Sequence, residues 1–243
     1  MKTTVEHSAE TGVVTVRFVG ELSPATVTTV RTTLGKAAAE CPAAVVVDLS
    51  ALEQADRSSL GVFATATCRA EADWGVPILL YAPTPAVCRS LGGYRGFLSL
   101  YEDRQLALST VHACTSRWLW KRLAPVPASA AAARALVGEA CLRWDLPHLR
   151  EPGRLIASEL AANAILHAET DFDVTAAHTG RYLRIAVQDR SPAMPRSIPR
   201  IGPDGSVLAP GWGLRAVEAA SSRWGVTRLP TGKIVWSLVA ALR

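Results

Sequence analysis

Residues 43–52 read AAVVVDLSAL and residues 76–83 read VPILLYAP. A strand with one face in water alternates apolar and polar side chains, whereas these two runs are apolar without alternation, but for Asp48 and Ser50. They therefore need cover on both faces. Between them, SSLGVFATATCRAEADWG carries a helical period and stops at Gly75, a residue suited to the left-handed cap of a helix. Buried strand, helix, buried strand confines this half of the chain to a layered α/β architecture. Earlier, TVEHSAETGVVTVRFVG reads as a hairpin around Glu10-Thr11-Gly12, and Ser23-Pro24 opens a helix to about Glu40. TPAVCRSLGGYRGF is read as a further helix, so the first domain is expected to span 1–110.

A chain of 243 residues with 49% hydrophobic and 19% charged side chains can bury two cores, which argues against disorder. The periodic pattern weakens over 111–127, read as a linker containing Trp118, Trp120 and Pro125-Val126-Pro127. The tryptophans fit an interface flap or one more short helix equally well. The second domain, 128–243, begins with ASAAAARALVGEACLRWDL as a helix, followed by a second helix over 152–168. FDVTAAHTGRYLRIAVQD then forms a hairpin turning at Thr179-Gly180. GLRAVEAASSRWGV is helical, and GKIVWSLVAAL is a final buried strand. Helices on one face of an antiparallel or mixed sheet is the expected arrangement. Residues 190–213, rich in Pro and Gly, read as a mobile lid.

The net charge of +5 is unevenly divided: residues 1–110 carry 9 Lys/Arg against 11 Asp/Glu, the remainder 17 against 10. The basic residues of the second half form no run and are not interleaved with aromatics, which disfavours direct nucleic-acid binding and suits a bound polyphosphate or an acidic protein partner. Neither a signal peptide nor an apolar stretch of about 18 residues is evident, so a cytoplasmic protein without membrane contact is expected. The five cysteines, with no C-x-x-C pair, read as small buried hydrophobes in a reducing compartment.

Three signals in the second half carry chemistry. In ELAANAILHA, residues 159–168, Glu159, Asn163 and His167 recur every four positions and so stack on one line of a helix. In RIAVQDRSP, Asp189 ends an apolar strand. In APGWGLRAVEA, Gly211 and Gly213 precede a helix, where backbone N–H groups and the helix N-terminus favour a phosphate. Asn163 offers Mg²⁺ a hard oxygen, Glu159 a carboxylate able to take a proton, and Asp189 an acceptor for an exocyclic amine. Taken singly, each also has a plain reading: a turn, a satisfied core network, a solvated strand end.

In order and spacing, SELAANAILHA, VQDRSPAMP, GWGLRAVEAASSRWGV and GKIVWSL resemble the nucleotide-binding boxes of the GHKL ATPase superfamily, and most of all its anti-sigma-factor serine kinases. The similarity spans roughly residues 115–243. It implies a GHKL (Bergerat) two-layer α/β sandwich that binds ATP and Mg²⁺. By position, Asn163 would hold Mg²⁺, Glu159 would be the general base, Asp189 would contact adenine, and Gly211, Gly213 and Leu214 would face the phosphates. His167 would be structural. Arg190-Ser191-Pro192 departs from the glycines that often follow the aspartate, Trp212 is unusual in the glycine loop, and Ile234 stands where a threonine often supports the adenine site.

DLSALEQADRSSLGVF, residues 48–63, leaves a buried strand and leads into an apolar helix, where Ser58 or Ser59 would serve as the N-cap. Over about residues 3–108, however, the chain resembles the STAS domain of anti-sigma-factor antagonists, which carry Asp-Ser-Ser-Gly here and are phosphorylated on a serine by their partner kinase. Aligned through Asp56 and Leu60-Gly61, the phosphoacceptor candidate is Ser58; Arg57 and Ser59 depart from the pattern. Together the two resemblances imply an α/β protein of two domains: a fused partner-switching regulator that phosphorylates a serine of a STAS-type antagonist protein, binds a sigma factor, and is capable of forming a homodimer. The alternative is a non-catalytic protein-binding regulator with a degenerate nucleotide site. A sensor histidine kinase would need a two-helix segment bearing a histidine, and neither His112 nor His148 lies in one.

Overall fold

The computed structural model describes residues 1–8, 11–115, 117–194, 200–201, 207–208, 212–229 and 231–241. The chain divides into two compact units, Met1–Ser116 and Arg117–Arg243, each with its own buried core.

In the first unit the order is β1 (Lys2–Ser8), β2 (Val13–Leu22), α1 (Val27–Ala39), β3 (Ala44–Asp48), β4 (Leu52–Ala55), α2 (Gly61–Trp74), β5 (Ile78–Tyr81), α3 (Pro85–Leu91), β6 (Ser99–Tyr101) and α4 (Arg104–Thr115). The sheet runs β1-β2-β3-β5-β6, with β4 paired to β2; β1 and β2 are antiparallel, and the remaining pairs are parallel. The two apolar runs are covered on both sides as their composition demands. Val45, Val47, Ile78 and Leu80 pack in the core shared with α1 and α2, while Val46, Leu79 and Tyr81 pack with Ala107 and Val111 of α4. Parallel neighbours of this kind are buried on both faces.

Local departures from the sequence reading have local causes. Ser23-Pro24 does not open α1: Thr26 and Val27 both donate backbone N–H to Ser23 O, forming a turn, and the helix starts at Val27. Residues 43–52 are not one strand. Leu52 N bonds Leu49 O in a turn that carries the chain from β3 into β4. Gly75 caps α2 at φ 61°. Of the cysteines, Cys41 and Cys141 are buried, but Cys68 is exposed, contrary to the reading of all five as core.

The second unit comprises β7 (Trp118–Leu123), α5 (Ala128–Arg143), α6 (Arg150–His167), β8 (Phe172–His178), β9 (Tyr182–Asp189), β10 (Arg200–Ile201), β11 (Val207–Leu208), α7 (Trp212–Ala220), β12 (Arg223–Leu229) and β13 (Gly232–Ala240). Its main sheet runs β12-β13-β9-β8-β7 and is antiparallel throughout. The span read as a linker holds the end of α4 and all of β7. Trp118 and Trp120 thus belong to an edge strand, not to a further helix. Val137, Ile156, Leu160 and Val217 from the helices pack on Val174, Ile185, Val187 and Val235 of the sheet. Side chains alternate across a strand, so Leu183, Ile185, Val187 and Asp189 share the helix-covered face. Lys233, Val235 and Val239 of β13 share it too. Most of the segment read as a lid lies outside the described residues. No described helix is long and apolar enough to cross a membrane.

Candidate functional site

α6 is the central element of the second unit, packing on α5, β9 and α7. Its buried stripe, Ile156, Ala157, Leu160, Ala161 and Ala164, faces the core. The line of Glu159, Asn163 and His167 runs along the flank of that stripe and is half-buried. Small alanines beside these residues let α6 lie close to its neighbours. The row in the sequence therefore marks the border between packed helix and open space, where a polar side chain can meet a ligand without losing all its hydration. His167 is the last residue of α6, where a cationic form would complement the helix dipole.

Glu159 is brought against the first turn of α7. A methyl group placed on Gly213 would lie 2.6 Å from Glu159 Oε2. The absence of a side chain at Gly213 is what admits the carboxylate, and the positive end of the helix favours it there. Leu214, in the same turn, packs against the core. Gly211 lies outside the described residues. Among the described residues no group of three or more His, Cys, Asp or Glu is placed to hold a metal ion by itself. The oxygen chemistry on α6 instead suits a cation that arrives with phosphates, Asn163 supplying one hard ligand and the phosphates and water the rest.

Asp189 ends β9 in a different environment from an open strand end. It is 2% exposed and forms an ion pair with Lys233, itself 1% exposed, at 2.9 Å. Lys233 Nζ donates to Asp189 Oδ1 and also to Ser191 O at 3.3 Å, and Ser191 N donates to the same Oδ1 at 2.9 Å. Lys233 and Asp189 are direct partners in the β13–β9 register. At Gly232 a Cβ would lie 2.0 Å from Asp189 O, at φ 150°, so only glycine lets the strand begin this close. Ile234, read as the residue beside the base, pairs with Gln188 and by alternation faces the opposite side of the sheet. The residue facing Asp189 is Lys233. Sequence reasoning missed it, although the period of two in GKIVWSLVA, counted from Val235, assigns it to the helix-covered face. Arg190 is exposed.

In the first unit, Asp56 gathers the two serines. Ser58 Oγ and Ser59 Oγ both donate to Asp56 Oδ2, Ser59 at 3.0 Å. Neither serine caps α2, whose N-cap is Leu60 with no side-chain bond. The hydroxyls of Ser58 and then Ser59 hold the Asp56 carboxyl below its ordinary value. Ser59 is 4% exposed and Ser58 is on the surface. Ser58 opens onto a groove of about 370 Å³, lined by Pro24, Val27 and Arg31 on one side and by Val62 and Thr65 on the other.

With this geometry in place, comparison with known families assigns both units. Residues 4–94 match the Mlab-type STAS domain, and residues 123–237 match the histidine kinase-like ATPase domain. The chain thus carries a STAS domain followed by a histidine kinase-like ATPase domain. Similar solved structures include an anti-sigma factor antagonist from Mycobacterium paratuberculosis, 27% identical, covering 46% of this chain and 93% of that one with a TM-score of 0.40. A putative anti-sigma factor antagonist from Thermotoga maritima is 18% identical, covering 45% and 94%, TM-score 0.41. The RsbU and RsbW domains of a Mycobacterium tuberculosis protein are 21% identical, covering 50% of this chain and 32% of that one, TM-score 0.38. A comparison with curated proteins found no match.

Proposed function

We propose that the protein is a partner-switching regulator whose second unit binds ATP·Mg²⁺ and transfers the γ-phosphoryl group to a serine of a STAS domain. The observation that carries this reading is the placement of Glu159 at the first turn of α7, one helical turn from Asn163. A carboxylate, a hard oxygen and a helix N-terminus are thereby supplied by two packed helices. When bound, Mg²⁺ would neutralise charge on the transferring phosphoryl group. Asn163 would orient that ion. Glu159 would accept the serine hydroxyl proton as the oxygen attacks, a role that requires it to leave its contact at Gly213 for the incoming hydroxyl. Positioning and charge neutralisation supply most of the catalysis in phosphoryl transfer.

Ser58 is the acceptor this reading favours within the chain, since it is exposed whereas Ser59 is buried, and Asp56 already orients its hydroxyl. A phosphate adds about 1.5 to 2 negative charges. Placed beside Asp56, it would repel the carboxylate that now accepts its hydrogen bond and alter the surface offered to a partner. A STAS-type antagonist and a sigma factor are the partners proposed. Incubation with labelled ATP·Mg²⁺ and a STAS protein tests the reading: phosphoserine is expected on the added protein or on Ser58. It should fall by at least about a hundredfold in Glu159→Ala, the range for loss of a general base. The second reading, a non-catalytic binding module, is favoured by the Asp189–Lys233 pair. Tight partner binding with no phosphoserine would select it.

A further inference from the structure

A buried acceptor that already holds a buried cation cannot read a ligand as an open one does. Asp189 receives Lys233 Nζ and Ser191 N on one oxygen, and the whole side chain is 2% exposed. Lys233 is anchored a second time by Ser191 O, and its strand is pinned beside Asp189 by Gly232. For a neutral amine to take the carboxylate, it would have to displace an ammonium and leave that ammonium buried without a counter-ion. A charge-assisted hydrogen bond is about twice as strong as a neutral one, and breaking a buried ion pair by removing one partner is strongly unfavourable. The exchange runs against the ligand.

We propose that Lys233 is a specificity-determining residue of the nucleotide site: by occupying Asp189 it removes the acceptor that would read a 6-amino group, so the site holds purine nucleotides through triphosphate and metal without selecting adenine by its amine. The inference rests on the nucleotide-binding reading above and adds to it which nucleotides are accepted. Lys233 lies on the face that carries Asp189 and is covered by α6, so it is correctly placed to act at the base end of such a site.

The test compares ATP with purine riboside triphosphate, which differs only in lacking the 6-amino group, by calorimetry with Mg²⁺ on the full chain. The wild-type protein is expected to bind the two within about threefold, because no charged acceptor is open to the amine; a bond to such an acceptor would be worth roughly ten- to a hundredfold. Lys233→Met is expected to favour ATP by at least about tenfold. Since that variant buries a lone carboxylate, Asp189→Asn combined with Lys233→Met is measured beside it. Its amide oxygen can accept from the amine, and a preference for ATP is expected there too. A wild-type preference of tenfold or more for ATP would overturn the role of Lys233 while leaving nucleotide binding intact. Equal affinities in all three proteins would overturn it likewise. Absence of binding by either nucleotide to any of them would overturn the nucleotide-binding reading together with this one.

Discussion

Two glycines separate stability from chemistry. At Gly232 a methyl group meets the Asp189 carbonyl at 2.0 Å on a backbone with φ 150°, and neither strand can yield without breaking the sheet. Gly232→Ala is therefore expected to destabilise the protein by more than about 3 kcal/mol, read as a lowered denaturant midpoint. At Gly213 the methyl meets the end of a flexible side chain, Glu159 Oε2, at 2.6 Å. Gly213→Ala is expected to change stability by less than about 1 kcal/mol, since the carboxylate can swing aside and alanine suits a helix, while phosphoryl transfer falls at least about tenfold through the displaced base. Equal losses of stability in both variants would contradict this account. Glu159, Asn163 and Gly213 stand out in the sequence as candidates because helical spacing and a glycine near a helix start are local signals, although Gly213 lies within the first turn of α7 rather than before it. Lys233 does not stand out, since its significance depends on the register between β13 and β9, strands separated by more than forty residues.

At the scale of elements, some periodic segments were read correctly and others were not. GLRAVEAASSRWGV, read as one helix, divides into α7 and the strand β12, because the β-pairing of Arg223–Leu229 with β13 overrides the local helical pattern, and α4 was not read. α5, α6 and the β8–β9 hairpin follow from composition and period. β4, β6 and β7 escaped because strands of 3–6 residues offer too few alternations to stand out. β7 is held at the sheet edge by its pairing to β8, by the Arg122–Asp173 ion pair and by contacts at its start. There, Arg117 Nη1 donates to His178 Nδ1 at 3.1 Å, and the imidazole stacks on Trp144 with ring centroids 6.4 Å apart. Burial, and then the charge of Arg117, push the His178 pKa below 6.5. Below that value the unfolded chain takes up a proton that the folded chain resists, so the contribution of this site to stability is lost as pH falls through the unfolded pKa. The loss stops growing once the folded value is passed. Unfolding midpoints measured between about pH 7.5 and 5.5 are expected to fall on acidification, and His178→Gln is expected to flatten the slope. An unchanged slope in that variant would show that His178 does not contribute.

At the scale of the whole molecule, two cores with different sheet types follow from two kinds of apolar pattern. Uninterrupted β-branched runs produced the parallel pairs of the first unit. In the antiparallel sheet of the second, short turns join β8 to β9 and β12 to β13, while β7 and β8, and β9 and β13, pair across longer connections. The division of charge between the halves, acidic then basic, accords with the polyphosphate site proposed for the second unit. The fusion places a candidate phosphoacceptor and a candidate phosphoryl donor site on one chain, so the two modules are present at equal concentration whichever copy each acts upon. The account rests on nucleotide binding by the second unit. Calorimetric titration of the full chain with ATP at saturating Mg²⁺ measures it directly. The account predicts saturable binding that weakens at least about tenfold on Asn163→Ala, the loss of one metal-oriented contact. It would be contradicted by the absence of binding heat, or by binding that Asn163→Ala leaves unchanged.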